Sequence, residues 1–340
     1  MKLGRIRAVD VDGPTARLVA IEPEQDRVID LRLASQLALE RRGATRAGAR
    51  RIAEAWFPGS MRAAISSGEG FLEQAADVAD SAGDDASRPM SDVTDWLSPI
   101  DPMVLRDCLV FEQHLITQFG RANIEVPGQY YRAPVYYKAN PTTLFGHDTE
   151  IPWPYETSYL DYELEVGFVL GTSGRDLTPE EAERHLFGVT VFNDFSARDV
   201  QSREMAGRLG PAKGKDFATA LGPWITTVDE VDIADLDMVA RVNGEEWSRG
   251  SSGDMMWHAA EIIAYVSQFE PTDPGEVIGS GTVGTGSGSD LGRRLSPGDV
   301  VELEIGGIGV LRNRVGEPRP NRWWPEPKSR PDRGVDADGA

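Results

Sequence analysis

The most informative pattern of polar and apolar positions lies between Tyr159 and Gly171, where acidic and apolar residues alternate before the run becomes fully apolar. Such alternation predicts a β-strand, whose successive side chains point to opposite faces. One face is acidic and consists of Asp161, Glu163 and Glu165. The other is apolar and consists of Tyr162, Leu164, Val166 and Phe168. Carboxylates crowded on a buried face favour a hard divalent cation, whereas the same face turned to solvent would need none.

The first hundred residues divide into predicted strands followed by predicted helices. Apolar patterning indicates a small meander over residues 3–9, 16–21 and 27–31. Helical periodicity follows over residues 31–76, with breaks at Pro58-Gly59 and at residues 66–68.

Polar composition then suggests the limits of the domains. Residues 78–92 are small and polar, which is typical of an exposed loop or linker. We therefore predict a small N-terminal α+β domain at residues 1–100 and a larger domain at residues 101–316. Residues 317–340 are predicted to form a loose tail, with Trp323 and Trp324 as its apolar anchors.

A further candidate ligand follows the next apolar strand, which is predicted to end at Asn193-Asp194. A carboxylate at a strand end is held rigidly, so Asp194 is placed to complete an oxygen-rich metal site with Glu163 and Glu165. An ordinary turn aspartate is the alternative interpretation.

A helix is predicted directly after Asp194. Ser196 and Asp199 have the spacing of a capping box at its start. Arg198 and Gln201 lie three residues apart on this helix, so they are expected on one face, within reach of the same cleft.

Local signals predict several other elements. They are a helix beginning at Thr178 and Pro179, a hairpin with Asn243 and Gly244 at its turn, a helix from Met255 to Phe269 that carries His258, and a final strand pair within residues 297–313. The glycine-rich stretch from Glu276 to Ser289 suits close approach of the backbone to a ligand.

The charge of the chain argues against nucleic-acid and membrane partners. Its 340 residues contain 35 Lys and Arg against 55 Asp and Glu, for a formal net charge of −20. This charge repels phosphate backbones and anionic lipid.

Because the N-terminal residues lack the apolar core of a signal peptide and no apolar run is long enough to span a bilayer, we expect a cytoplasmic protein. The single cysteine, Cys108, excludes an internal disulfide and a multi-cysteine metal cluster.

Ordered motifs between residues 105 and 315 resemble those of the fumarylacetoacetate hydrolase family. They are Leu-Asp-Tyr-Glu-Leu-Glu-Val from Leu160, Phe-Asn-Asp-Phe-Ser-Ala-Arg-Asp-Val-Gln from Phe192, Gly-Lys-Asp-Phe-Ala-Thr from Gly214, Leu-Gly-Pro-Trp from Leu221, Val-Asn-Gly-Glu from Val242, Gly-Thr from Gly281 and Pro-Gly-Asp from Pro297. The resemblance implies an α+β fold with a mixed β-sandwich roll as catalytic domain, a small N-terminal domain and a homodimer. It also implies a small-molecule keto-acid substrate and a Mg²⁺ or Mn²⁺ cofactor, with Ca²⁺ as a further candidate.

The same resemblance assigns roles to individual residues. Glu163, Glu165 and Asp194 match the family's metal-binding carboxylates, and Asp107 falls where the founding type of enzyme has a fourth. His114 falls at that enzyme's water-activating histidine. The substrate-contacting positions correspond to Lys215, Arg198, Gln201, Tyr137, Thr219 and Thr282. Lys215 would also supply positive charge during catalysis.

The chain departs from the family pattern at the partner of the histidine. The founding enzyme uses a glutamate from the later glycine-rich region, where this chain offers Asp290. Short-chain members keep a glutamate soon after the histidine, whereas His114 is followed by Leu-Ile-Thr-Gln118. Glu112 and Asp290 are both candidate partners, and the sequence does not choose between them.

These observations predict a metal-dependent hydrolase that cleaves a carbon–carbon bond in a β-diketo acid or acylpyruvate. The metal would stabilise an enolate, and His114 would activate water. Two alternatives stay open. One is a decarboxylase, hydratase or isomerase that acts on a 2-oxo acid through the same enolate, and the other is a metal-binding homologue without turnover.

Overall fold

The computed structural model describes residues 1–10, 13–154, 157–326 and 328, which form an α+β fold with mixed sheets. The helices are α1 (Leu31–Arg41), α2 (Arg46–Trp56), α3 (Met61–Ile65), α4 (Glu69–Asp80), α5 (Glu112–Arg121), α6 (Pro179–Ala182), α7 (Arg198–Ala206) and α8 (Ala259–Val266). The strands are β1 (Lys2–Asp10), β2 (Gly13–Glu22), β3 (Arg27–Asp30), β4 (Ser87–Arg88), β5 (Trp96–Leu97), β6 (Leu105–Cys108), β7 (Tyr136–Ala139), β8 (Leu144–Phe145), β9 (Glu150–Trp153), β10 (Leu160–Asp161), β11 (Leu164–Leu170), β12 (Leu186–Asp194), β13 (Ser196–Ala197), β14 (Thr219–Thr227), β15 (Asp237–Val242), β16 (Glu245–Ser251), β17 (Val277–Gly279), β18 (Val300–Ile305) and β19 (Gly309–Pro318).

The N-terminal meander and the helices after it are confirmed. β1, β2 and β3 pair antiparallel, and α1 to α4 follow with breaks at the predicted positions. The predicted exposed loop at residues 78–92 is partly wrong, because α4 continues to Asp80 and β4 pairs with β3. Three residues of this range, Val78, Ala79 and Ala86, are buried in a hydrophobic core cluster.

One large sheet continues from the meander into the rest of the chain. Its strand order is β4-β3-β2-β1-β14-β12-β11-β17-β6-β7. Leu3 of β1 pairs with Ile225 of β14, and both belong to a hydrophobic cluster that also holds Phe71 and Val277. The domain boundary near residue 100 stays a prediction, and the two parts that it separates share this sheet and this cluster.

A second sheet, ordered β16-β15-β18-β19-β9, packs on the first and completes the sandwich. Val166 of the large sheet and Leu303 of the second sheet lie in the same core cluster. The predicted hairpin is confirmed, since Asn243 and Gly244 have φ angles of 53° and 79° at the turn between β15 and β16. Within the described residues, no helix is both long and apolar enough to cross a membrane.

The predicted single strand from Tyr159 to Gly171 is two strands, β10 and β11. The break arises because side chains take the backbone N–H groups there: Asp161 Oδ1 accepts from Tyr162 N at 2.9 Å, and Asn193 Oδ1 accepts from Glu163 N at 3.1 Å. The alternation itself is preserved. The four apolar residues of the predicted inner face, Tyr162, Leu164, Val166 and Phe168, all lie in the core.

The helix after Asp194 begins later than a capping box at Ser196 would require. Ala197 is the N-cap of α7, and its side chain accepts no capping hydrogen bond. Ser196 Oγ donates to Asp194 O at 3.0 Å, and Asp199 accepts from the Thr157 hydroxyl at 2.5 Å. The predicted capping box is therefore wrong, because both of its polar side chains are engaged elsewhere.

Two other predicted helix starts have different outcomes. Thr178 caps α6 in a capping box with Glu181, as its sequence predicts. By contrast, α8 is shorter than the predicted helix from Met255 to Phe269, and His258 is its N-cap residue. The His258 N–H donates to Glu261 Oε2 at 2.9 Å, so the helix starts there.

The predicted tail begins as part of the sheet. β19 extends to Pro318 and pairs there with Trp153 of β9. Trp323 and Trp324 are 77% and 41% exposed. Residue 327 and residues 329–340 of the predicted tail lie outside the described residues.

Candidate active site

Four buried carboxyl groups meet where neighbouring strands of the large sheet end. Asp107 lies on β6, Glu163 directly precedes β11, Glu165 lies on β11 and Asp194 ends β12. One carboxylate oxygen of each residue lies within 4.8 Å of those of the other three. The structure thus brings together all four predicted metal-binding residues, which we call the acid cluster.

The strand register explains this convergence. β11 begins and β12 ends at the same edge because they are antiparallel, with Leu164 opposite Asn193. β17 runs parallel to β6 and places Gly279 opposite Asp107. A Cβ atom on Gly279 would lie 2.8 Å from Asp107 Oδ1 and 2.8 Å from Glu165 Oε2. Glycine at this position therefore lets the backbone pass close to the acid cluster.

Unsatisfied oxygens make the acid cluster suitable for a cation. Asp107 Oδ1, Glu165 Oε1 and Asp194 Oδ1 are buried and have no hydrogen-bond partner among the described residues. Buried polar atoms are normally paired, and carboxylate oxygens are the ligands that hard divalent cations prefer. The residues present therefore fit a divalent metal ion.

The pKa values of the carboxyl groups in the acid cluster also favour a bound cation. Burial, followed by the like charge of Asp194, raises the pKa of Asp107 well above its usual range. Burial and the like charge of Asp107 do the same to the pKa of Glu165. Burial also raises the pKa of Asp194, although Lys215 opposes the shift. A divalent cation would relieve this repulsion and favour the ionised carboxylates.

Glu163 differs from the other three acids because two cations face it. Burial by itself would raise its pKa, but Arg198 and Lys215 outweigh burial and hold the pKa of Glu163 well below its usual range. Lys215 Nζ donates to Glu163 Oε2 and, at 2.5 Å, to Asp194 Oδ2. Tyr137 approaches from β7 and donates its hydroxyl to Asp194 Oδ2 at 2.7 Å. The predicted positions Lys215 and Tyr137 thus both touch the acid cluster.

Arg198 links the acid cluster to α7. Its Nη2 donates to Glu163 Oε1 at 2.9 Å, its Nε donates to Asp161 Oδ2 at 2.8 Å, and its Nη1 donates to Gln201 Oε1 at 3.2 Å. The predicted pairing of Arg198 and Gln201 on one helix face is confirmed. Asp161, predicted on the acidic face, has a different task, because its carboxylate holds Arg198 and accepts from Ser289 N at 3.0 Å.

His114 and Asp290 form the pair that the sequence left undecided. His114 Nδ1 lies 2.8 Å from Asp290 Oδ2, and its Nε2 faces Glu163 Oε1 at 3.9 Å. The side chains of His114 and Asp290 are 5% and 0% exposed. The alternative partner, Glu112, is exposed and accepts from the Tyr131 hydroxyl at 2.9 Å instead. Of the two candidate partners, Asp290 is therefore the one that contacts His114.

Two predicted substrate positions lie beside the acid cluster, and their side chains form no hydrogen bond to it among the described residues. Thr219 is 3% exposed and pairs with Asp194 across β12 and β14. Thr282 is 1% exposed, and its hydroxyl donates to Leu164 O at 3.2 Å. Their predicted contact with substrate stays a prediction.

Sequence reasoning missed two polar residues that shape the site. Asn193 holds the backbone of Glu163, and Gln118 donates to Asp290 Oδ1 at 2.6 Å. A signal for Gln118 exists in the sequence, since it follows His114 by four residues and therefore lies on the same face of α5. Asn193 is a polar residue inside an otherwise apolar strand, but nothing in its spacing indicates a partner thirty positions away.

Comparisons with known proteins agree with this geometry. The family model described as "Fumarylacetoacetate (FAA) hydrolase C-terminal" matches residues 104–316, more than half of the chain. The chain is 29% identical over 275 residues to oxaloacetate tautomerase YisK of Bacillus subtilis, covering 76% of this chain and 87% of the relative. It is 33% identical over 212 residues to 2,4-didehydro-3-deoxy-L-rhamnonate hydrolase of a Sphingomonas species, covering 62% of this chain and 71% of the relative.

A solved structure shows the same architecture. The fumarylacetoacetate hydrolase of Exiguobacterium antarcticum superposes with a TM-score of 0.70 at 27% identity, covering 93% of this chain and 99% of the other. The family model, these relatives and the shared fold lead to one conclusion. This chain belongs to the fumarylacetoacetate hydrolase family.

Proposed function

We propose that this protein is a divalent-metal-dependent hydrolase that cleaves a carbon–carbon bond in a β-diketo acid, such as an acylpyruvate. The observation that carries the proposal is the His114–Asp290 pair beside the acid cluster. Hydrolysis needs a base that is held ready to activate water, and a histidine oriented by a buried carboxylate is well suited to this task.

The metal would be held by Asp107, Glu163, Glu165 and Asp194, and Mg²⁺ or Mn²⁺ suits this oxygen-only set, with Ca²⁺ as a further candidate. When bound, such a cation supplies positive charge against the negative charge that develops on the oxygens of a dicarbonyl substrate. Lys215 adds a second positive charge at the same place, and Arg198 keeps Glu163 ionised and oriented.

His114 has a defined role in this reaction. The Nδ1–H of His114 donates to Asp290 Oδ2, which leaves the lone pair of Nε2 on the side of Glu163 and the acid cluster. Nε2 takes a proton from water as the water oxygen bonds to the acyl carbonyl carbon. The carbon–carbon bond then breaks, its electron pair stays on the departing fragment as an enolate, and a proton returns to that fragment. The products are a carboxylic acid and a keto compound.

A second candidate is a tautomerase that acts on oxaloacetate. YisK, the tautomerase from Bacillus subtilis, aligns with 76% of this chain, which favours this candidate. The same histidine could move a proton between carbon and oxygen of an enolisable 2-oxo acid without adding water. The two candidates therefore share the metal and the base but differ in whether water enters the product.

The deciding experiment is an assay of the purified protein with Mg²⁺ against a series of acylpyruvates and against oxaloacetate. Release of a carboxylic acid and pyruvate supports the hydrolase. Fast interconversion of enol and keto oxaloacetate without cleavage supports the tautomerase. CO₂ release would indicate a decarboxylase, and the absence of any reaction would favour a homologue without turnover.

Two variants and one control test the assigned base. His114→Asn and Asp290→Asn should each lower kcat by about 10²- to 10⁴-fold, the usual contribution of a general base. Glu112→Gln is the matched control, because Glu112 bonds Tyr131 and not the histidine, and it should retain full activity. Full activity in His114→Asn would remove this residue from the reaction.

The predicted homodimer belongs to the same proposal. Size-exclusion chromatography with light scattering should give twice the mass of the 37.2 kDa chain.

A further inference from the structure

We propose that Gln118 is a positioning residue that fixes the carboxylate of Asp290 and, through it, the ring of His114. The inference rests on the proposed function, because it concerns the base of that reaction. It extends the histidine–aspartate pair to three residues joined by side-chain hydrogen bonds, from Gln118 through Asp290 to His114.

The contacts of Gln118 are specific. Its Nε2 donates to Asp290 Oδ1 at 2.6 Å and to Ser289 Oγ at 3.0 Å. An amide nitrogen carries two hydrogens, so both are used on neighbouring residues of one turn. The carboxylate acceptor also fixes which end of the amide faces Asp290, since the amide oxygen would be repelled there.

Asp290 is held on every side by these contacts. Its Oδ2 faces His114 Nδ1 at 2.8 Å, its Oδ1 accepts from Gln118, and its backbone N–H donates to Ser287 Oγ at 3.1 Å. Its side chain is 0% exposed, so water cannot replace a lost partner easily. A carboxylate that lost the Gln118 contact would keep one oxygen on the histidine and could rotate about its remaining bonds.

The arrangement joins two distant parts of the chain. His114 and Gln118 lie one turn apart on α5, whereas Asp290 belongs to the 3₁₀ turn Ser289–Leu291. Gln118 therefore ties this turn to the helix that carries the base. This tie keeps Nδ1 of the histidine on Asp290 and its Nε2 on the side of Glu163.

Loss of this amide should affect the chemical step and not substrate binding. Gln118 has no hydrogen bond to the acid cluster, Lys215 or Arg198 among the contacts of the described residues. We expect Gln118→Leu to lower kcat by about tenfold to a hundredfold, the usual cost of removing a group that orients a functional histidine. KM and Mg²⁺ affinity should stay within about twofold of wild type.

The matched control is Gln113→Leu, the same substitution on the same helix. Gln113 is exposed and donates to Thr117 Oγ1 at 3.4 Å, away from Asp290. It should keep wild-type kcat. If Gln118→Leu does not fold, as judged by circular dichroism and melting temperature, Gln118→Met provides an unbranched side chain of similar length without the donor.

A double-mutant cycle tests whether Gln118 acts through Asp290. In the Asp290→Asn background, Gln118→Leu should cost less than about twofold in kcat, because the carboxylate that it positions is absent. Multiplying losses in the double variant would overturn the inference.

A spectroscopic measurement tests the geometry without any substrate. A histidine Nδ1–H bonded to a carboxylate gives a far-downfield proton resonance, which Asp290→Asn should remove. Gln118→Leu should broaden or shift this resonance, and Gln113→Leu should leave it unchanged. An unaltered resonance in Gln118→Leu would overturn the inference. If wild type hydrolyses no acylpyruvate while the resonance behaves as expected, the proposed function fails and the positioning role stands.

Discussion

Adjacent residues of β6 belong to two different clusters of charged side chains. The two clusters differ in whether every charge is paired with an opposite charge. On one side, Arg106 Nε lies 2.5 Å from Glu276 Oε1, and Arg106 Nη1 lies 2.8 Å from Glu270 Oε1. Arg106 and Glu276 are each 2% exposed, and the guanidinium also lies 5.3 Å from the ring centroid of Tyr136. On the other side, the adjacent residue Asp107 joins the acid cluster, where three carboxylate oxygens have no hydrogen-bond partner in the part of the chain that the structure describes.

The difference separates a structural cluster from a functional one. Around Arg106, every charge has an opposite charge within hydrogen-bonding distance, so the cluster is satisfied by the chain itself. In the acid cluster, Lys215 pairs with two of the four carboxyl groups, those of Glu163 and Asp194. Arg198 is shared between Glu163 and Asp161, and the other two acids have no ion pair among the described residues. Carboxyl groups are costly to bury without enough cations, and a chain that keeps such an excess has a site that a ligand must complete.

The largest expected effect comes from a substitution in the acid cluster. Glu165→Gln keeps the shape of the side chain but removes one metal-binding charge. We expect activity to fall by at least about 10⁴-fold, because the metal supplies several kcal/mol of charge stabilisation. Isothermal titration calorimetry should show the matching loss of Mg²⁺ affinity, and unchanged affinity would show that the metal lies elsewhere.

A substitution in the cluster around Arg106 should lower the stability of the fold and leave metal binding unchanged. Arg106→Leu leaves Glu276 buried without its partner, which typically costs about 3–5 kcal/mol in the free energy of unfolding. Urea denaturation measures this loss, and Arg249→Leu is the control because its ion pairs are exposed. Mg²⁺ affinity of folded Arg106→Leu should match wild type, and a loss comparable to that of Glu165→Gln would contradict the separation of the two clusters.

The two clusters should also differ in the sign of a stability change without metal. Burial and Asp107 raise the pKa of Glu165 in the folded state above its value in the unfolded chain. The favourable contribution of such a group is present below the unfolded pKa and is lost as pH rises through the folded pKa. At neutral pH, Glu165→Gln should therefore raise the melting temperature of metal-free protein, whereas Arg106→Leu should lower it because Glu276 then stays buried without its partner. Calorimetry in chelator checks both, and equal signs would contradict the comparison.

The smallest effect is a dependence of metal affinity on pH. Because the pKa values of Asp107 and Glu165 are raised, cation binding must release protons from these groups. Mg²⁺ affinity should fall as pH falls, by about tenfold per pH unit for each proton released. Titrations in two buffers of different ionisation enthalpy count the protons, and Glu165→Gln should release fewer.

Local patterns in the sequence identified part of the candidate site, and the family resemblance supplied the rest, including Asp107, His114 and Lys215. The alternation around Glu163 and Glu165 indicated a strand with an acidic face, and the ordered motifs indicated the family and Asp194. The hairpin at Asn243-Gly244 and the cap at Thr178 were also predicted, since each depends on neighbouring residues alone. The predicted capping box failed because its two side chains bond other groups, Ser196 the nearby carbonyl oxygen of Asp194 and Asp199 the hydroxyl of Thr157, 42 positions away.

The sequence by itself thus determined which residue types were available, which faces of the strands were apolar and where carboxylates and the histidine stood along the chain. Only the tertiary structure decided which of them meet: it chose Asp290 over Glu112 for His114, turned Asp161 to Arg198, and added Gln118. The physical reason is that hydrogen bonds and charge pairing act over a few ångströms in space. His114 and Asp290 are separated by 176 positions in the chain, and the packing of α5 against the 3₁₀ turn Ser289–Leu291 brings them within that range.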